Sequence, residues 1–227
     1  MTLETALILI ESVLLLATIA LLVYSIREGR LRNKLIMEVG KATRALTRME
    51  YFLAVHDSMM DGQKEVFGCI TGRPPVPEDE KRVKDIVSTI KKLTKAGVTV
   101  KYLMPKFQDR LYIGHLYSSA GAQVRYSSCM SHSLRYVVID SHMIVIGVPE
   151  NVGESAATSR GHRISSDELA KLLKNHFYDC WNKDTTFENY LREVLAQTGT
   201  SLKQLAHELH LDVKTLEKIL ASAPSES

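Results

Sequence analysis

LRYVVIDSHMIVIGVPE, residues Leu134–Glu150, decides the fold of this chain. Two apolar runs rich in β-branched residues, Tyr136–Ile139 and Met143–Ile146, flank the turn-like break Asp140-Ser141-His142. That spacing predicts a β-hairpin. Arg135 opens the first run, Asp140 closes it, and Gly147 stands just beyond the second. A permanently charged guanidinium at the mouth of an apolar strand is chemically suited to holding a phosphate or carboxylate.

Working outward, a globular domain is expected from about residue 62 to 183. Glu65–Thr71 reads as a buried strand and Gly72–Pro77 as a loop carrying Arg73. In Glu78–Ala96, charged residues surround Val83, Ile86, Val87, Ile90 and Leu93, which predicts an amphipathic helix ended by Gly97. Val98–Met104 is a strand, Asp109–Ala120 a helix and Gln123–Ser127 a third strand. After the hairpin, a loop holding Arg160, His162 and Arg163 leads to a helix over Ser165–Trp181, capped by Ser165 or Ser166 and carrying Asp167 and Glu168 in its first turn. The order β-α-β-α-β-β-α predicts an α/β sandwich with a mainly parallel sheet.

These residues resemble one repeat of the phospholipase D superfamily, whose motif runs H-x-K-x4-D-x6-G-S-x-N. In register, Arg135 takes the lysine place, Asp140 the aspartate and Gly147 the glycine. Ser133 stands at the histidine place, Val148 and Glu150 at those of serine and asparagine, and His132 is one residue out of register. The element order matches too, and HFYDCW at His176–Trp181 is similar to the family's closing helix. The resemblance implies a phosphodiester-handling pocket in which a histidine would attack phosphorus. Here the nucleophile position is empty, because serine at neutral pH needs an activating base. His132 could serve only through a slip that turns the side chain to the other face of the strand. An anion-binding pocket built on Arg135, with Asp140, Arg73, Ser133, Arg160 and His162 as candidate contributors, is the expectation. Its bland alternative is a strand-end arginine paired with Asp140 or with solvent. Family members with one repeat dimerise so that two motifs share a cleft, which implies a homodimer.

At the amino terminus, Thr5–Ile26 contains a single charge, Glu11. Twenty-two residues at helical rise are long enough for a hydrocarbon core of roughly 30 Å. Seven Lys/Arg against three Glu follow between Arg27 and Glu50. Residues 1–26 are therefore expected to be an uncleaved single-pass anchor with the bulk of the chain cytoplasmic. Glu11 would face a partner helix or snorkel to the interface. Leu35, Val39, Ala42, Leu46, Met49, Leu53 and Met60, with His56, keep a 4-3-4-3 spacing. That predicts a helical stalk over residues 27–61, either a dimerising coiled coil or a stripe docked on the next domain.

Residues 184–221 form a second, all-α unit, and 222–227 a disordered tail. A helix over Phe187–Ala196 precedes Gly199-Thr200-Ser201, then SLKQLAHE (Ser201–Glu208) and DVKTLEKIL (Asp212–Leu220) give two short helices. This arrangement resembles a helix-turn-helix. His210 holds the usual turn-glycine place, which requires a left-handed backbone there. The exposed face of the last helix offers Lys214, Thr215 and Lys218 beside Asp212 and Glu217, a weak basic footprint that leaves DNA and protein partners for residues 200–221 both open.

The chain has 227 residues, 45% of them apolar, and a net charge of +3, too small to announce nucleic acid by itself. Cys69, Cys129 and Cys180 lack metal-like spacing and read as unremarkable thiols, so neither a metal nor a cofactor is expected. Three functions compete. The first is a membrane-anchored, non-catalytic sensor or regulator whose degenerate phospholipase D-like domain binds an anionic ligand. Archaeal transcription regulators of the TrmB type resemble that combination, with the helix-turn-helix first. The second is a membrane-bound phosphodiesterase using His132. The third is a membrane scaffold or transcription regulator acting through the carboxy-terminal helices.

Overall fold

The computed structural model describes residue 11 and residues 14–28, 44–128, 135–149 and 158–222; side chains at 44, 45, 48, 148, 149, 158–160 and 222 are outside that description. The chain divides into two compact units, Met1–Ala42 and Thr43–Ser227. In the first, residues 14–28 form helix α1, with Leu14, Leu16, Leu21 and Val23 exposed. Among the described residues no helix is long and apolar enough to cross a membrane. Residues 5–10, 12 and 13 of the expected anchor lie outside them.

The second unit is built on one eight-stranded sheet. Its strands are β1 (Arg44–Thr47), β2 (Glu65–Cys69), β3 (Thr99–Pro105), β4 (Gln123–Ser127), β5 (Arg135–Ile139), β6 (Met143–Pro149), β7 (Thr158–Ser165) and β8 (Thr185–Thr186), in spatial order β1-β7-β6-β5-β2-β3-β4-β8. The helices are α2 (Arg48–Met60), α3 (Glu80–Lys95), α4 (Leu111–Ser119), α5 (Asp167–Trp181), α6 (Phe187–Gln197), α7 (Leu202–Glu208) and α8 (Val213–Ser222). Side-chain alternation assigns the two faces. Val66, Val100, Tyr102, Val124, Val137 and Val145 look toward α2, α3, α4 and α6 in the main core. Phe67, Tyr136 and Val138 look the other way, where Phe177 of α5 meets Phe67 at 5.1 Å between ring centroids.

Local chemistry explains these elements. Val83, Ile86, Ile90 and Leu93 are buried along one stripe of α3, whose last turn carries Lys92 and Lys95. Thr47 and Glu50 form a reciprocal capping box at the start of α2. Ser166 caps α5, its Oγ accepting from the Leu169 N–H. In the hairpin turn both Asp140 and Ser141 have positive φ, 50° and 56°.

Three expectations change. First, the sheet is not mainly parallel: only β2–β3 and β3–β4 pair that way. Second, residues 44–60 are not the end of a separate stalk. Arg44–Thr47 pair antiparallel with Gly161 and its neighbours in β7, and α2 lies on the sheet through Tyr51, Val55 and Met59. Of the expected seam, Leu46 is buried, whereas Met49, Leu53 and Met60 are exposed. The stripe at i, i+4 and i+8 from Tyr51 carries more buriable area than a seam interrupted by His56, so burial selects it. The seam residues before 44 lie outside the described residues. Third, Arg160, His162 and Arg163 are in β7, not in a loop.

The carboxy-terminal helices belong to the same unit as the sheet. Tyr190 of α6 stacks on Tyr126 of β4 at 4.4 Å, and Lys106 Nζ meets Glu193 Oε2 at 2.7 Å. Leu205, Ala206, Leu209 and Leu216 are buried where α7 and α8 meet. Ser201 and Gln204 form a second capping box, and His210 adopts φ 54° in the turn, the left-handed conformation this position requires. Cys69 is a buried free thiol, whereas Cys180 is disulfide-bonded. The reading of unremarkable thiols missed that bond, since spacing along the chain does not show which sulfurs meet in space.

Candidate functional site

Arg135 is the first residue of β5 and is only 2% exposed. It pairs with Gly147 of β6, which in turn pairs with Gly161 of β7. The ring of Tyr51 lies over Gly161: a Cβ there would come within 2.4 Å of Tyr51 Cδ2. Because β5 runs antiparallel to β2, the Arg135 end of the strand sits beside the loop that follows β2. That loop carries Arg73 and turns at Gly72, where φ is +60° and a Cβ would approach Met104 Sδ within 2.6 Å.

Arg73 and Arg135 line one cavity of about 570 Å³, enclosed between the sheet and helices α2, α3 and α4. Asp79 and Asp109 also line it. Asp79 is buried and ion-paired with Arg82, whose guanidinium lies 5.9 Å from the Phe52 ring centroid. Asp109 pairs with the buried Arg110 at 3.2 Å. Asp79 and Asp109 thus each already face a guanidinium, while Arg73 and Arg135 share the cavity wall. Burial weakens the hold of Arg135 on its proton; Tyr51 opposes this, while the positive charges of Arg73 and Arg110 add to it. The group stays charged, since a guanidinium begins far above neutrality. Burial pushes the Tyr51 phenol up to about 12, against the pull of Arg135. Such a site can attract and orient an anion through forked N–H donors.

Asp140 is at the opposite end of β5, roughly 16 Å away at about 3.3 Å per residue, so it does not pair with Arg135. Its carboxylate accepts from the backbone N–H groups of Gln63, Lys64 and Glu65 at 2.8, 2.8 and 3.0 Å. Burial alone would raise its pKa, but these three bonds and Lys64 hold it below the ordinary aspartate value. His162 is at an even register position in β7, on the face opposite Arg135. Only the backbone of Arg160 is described, while His132, Ser133 and Glu150 lie outside the described residues. Of the candidate residues, then, the structure brings Arg73 and Arg135 together and leaves Asp140 and His162 elsewhere.

Tyr51 and Arg110 were missed in the sequence. Tyr51 falls off the heptad seam, and its signal was the competing stripe with Val55 and Met59. Arg110 read as an ordinary helix-start residue, and nothing local shows that it is buried. A second polar group is exposed at the hairpin turn. His142 Nδ1 lies 2.5 Å from Asp167 Oδ1, and its Nε2 lies 2.5 Å from Ser165 Oγ. The order is that of a serine hydrolase triad, but all three side chains face solvent, without the water exclusion such chemistry uses. They fasten the turn to the start of α5.

No family model matches the chain, and no curated protein matches it. Solved structures do. Nuc, a phospholipase D family member from Salmonella typhimurium, is 15% identical with a TM-score of 0.48, covering 64% of this chain and 97% of its own. NucT from Helicobacter pylori is 12% identical with a TM-score of 0.49, covering 63% and 98%. TrmBL2, an archaeal chromatin protein described as showing a novel mode of DNA binding, is 13% identical with a TM-score of 0.48, covering 70% of this chain and 63% of its own.

Proposed function

We propose that the cavity at the Arg135 end of β5 recognises an anionic ligand, and that the chain is a sensor or regulator and not a hydrolase. The observation that carries this reading is a buried arginine lining the same cavity as a second arginine. Two guanidinium groups on the wall of one cavity offer permanently charged, forked donors to an anion that enters it. In the same reading residues 5–26 hold the chain to a membrane with the bulk on the cytoplasmic side, two copies associate, and residues 200–221 pass the signal to a protein or DNA partner. The anchor is supported by the hydropathy and charge of the sequence, and the output unit by its docking on the sheet.

The test uses the Thr43–Ser227 unit, which contains the whole sheet and its own core. Calorimetric titration with inorganic phosphate and pyrophosphate is expected to show binding that Arg135→Met abolishes. Hydrolysis of an aryl phosphodiester is expected to be absent. Turnover that disappears in His132→Ala would replace this reading with a phosphodiesterase, and absence of any Arg135-dependent binding would leave a scaffold.

A further inference from the structure

The Arg135 cavity carries Arg73, Arg135, Asp79 and Asp109 and is otherwise walled mainly by apolar side chains. Its walls are Val55 of α2, Ile86 of α3, Ile113 and Tyr117 of α4, and Tyr102 and Val137 of the sheet, all at most 6% exposed. The arginines belong to the strand edge: Arg135 starts β5, and Arg73 is in the loop beyond the end of β2. Val137 is two residues further into the sheet, on the same face as Arg135. Tyr102 is at the same depth, because Val137 and Tyr102 both pair with Gly68. Gly68 puts no side chain between them; a Cβ there would come within 2.5 Å of the Tyr136 carbonyl oxygen. The Val137 side chain covers the place a Gly68 Cβ would take, so Tyr102 and Val137 together floor an apolar trough beside the arginines. The phenol of Tyr102 already contacts Met59 Sδ at 3.5 Å.

A small inorganic anion would meet the arginines and leave this trough unfilled. A ligand that also covers the trough gains the free energy of removing apolar surface from water. Volumes of this size are ordinary for small-molecule sites in which a few polar groups orient a largely apolar ligand. We infer that the ligand is a single-chain anionic amphiphile, a phosphate or carboxylate head at Arg135 and Arg73 with an aliphatic body in the trough between α2, α3, α4 and the sheet. This rests on the anion-binding reading above and narrows it to a chemical class.

The test is a chain-length series of monomeric alkyl phosphates, ethyl to octyl, titrated into the Thr43–Ser227 unit beside inorganic phosphate and glucose 6-phosphate. Affinity is expected to rise about three- to fourfold per methylene until the trough is full. Val55→Phe, which fills the trough from α2, is expected to keep inorganic phosphate binding and to weaken octyl phosphate at least about tenfold; Ile86→Phe tests the same point from α3. Arg135-dependent phosphate binding with no gain along the series would overturn the amphiphile and leave the anion site standing. Absence of binding by every compound, inorganic phosphate included, would remove the anion site itself. Tighter binding of glucose 6-phosphate than of hexyl phosphate would assign a polar ligand instead. Binding to phosphatidic acid vesicles without binding to the soluble series would make this a membrane-surface contact and reject the cavity.

Discussion

The two ends of β5 each hold one charged residue, in opposite surroundings. Asp140 spends its charge on the fold: three backbone N–H groups from the start of β2 point at one carboxylate. Arg135 is buried beside a cavity, among guanidinium groups of its own sign. A charge satisfied by backbone donors on a fixed element stabilises the fold; a cation on the wall of a cavity is placed to meet a ligand. The same five-residue strand thus separates a structural clamp from a recognition site.

The comparison breaks most sharply on Arg135→Met. Phosphate affinity should fall about 10- to 100-fold, the worth of a charge-assisted hydrogen bond. A clear drop in melting temperature with unchanged affinity would make Arg135 a second clamp. Gly161→Ala comes next. Its Cβ meets the Tyr51 ring, so overpacking should cost about 1–3 kcal/mol in urea denaturation, and the displaced ring should also lower ligand affinity.

Asp140→Asn should do the converse of Arg135→Met: about 1–2 kcal/mol less stability at neutral pH, with ligand affinity intact. The sign with pH follows from its depressed pKa. Its stabilisation is complete above the unfolded value of about 3.9 and is lost as pH falls through the lower folded value. Urea curves of wild type and Asp140→Asn should therefore converge in acid; a gap that persists at pH 2 would show that the carboxylate's charge is not what holds the loop. The smallest effect belongs to Arg73→Ala. A half-buried loop arginine should contribute only about three- to tenfold in phosphate affinity, and salt should shrink that contribution.

The extent of β5 is legible in the sequence, because an apolar run bounded by two charges and a turn has few other readings, but the separate roles of its ends are not, since Asp140 reads there as a contributor to the Arg135 pocket. Strands β2 to β6 and helices α3 to α8 were legible for the same reason of periodicity. What failed were elements whose burial comes from elsewhere. β7 reads Thr-Ser-Arg-Gly-His-Arg and is held by neighbours on both sides. β1 is four residues long, too short to show a period of two, and Leu46 happens to fit a heptad. On α2 two apolar stripes competed, and only the sheet's position decides between them. At the site, Arg135 and Arg73 were visible as chemistry in a motif or loop. Tyr51 and Arg110 became visible only as neighbours, because their contacts join segments far apart in sequence.

Strand β1 has a consequence for how the chain is made. It emerges from synthesis early, yet its Leu46 pairs with Gly161, about 115 residues later. At roughly 5–20 residues per second the ribosome imposes a wait on the order of 10 s. During that interval the apolar stripe of α2, Tyr51, Val55 and Met59, has no β7 to lie against. Closing a loop of that length also makes this pairing a late event in refolding. The edge of the sheet that comes first in sequence stays open until β7 has been made, and a nascent chain stalled before β7 exposes both an unpaired strand and the wall of its future cavity.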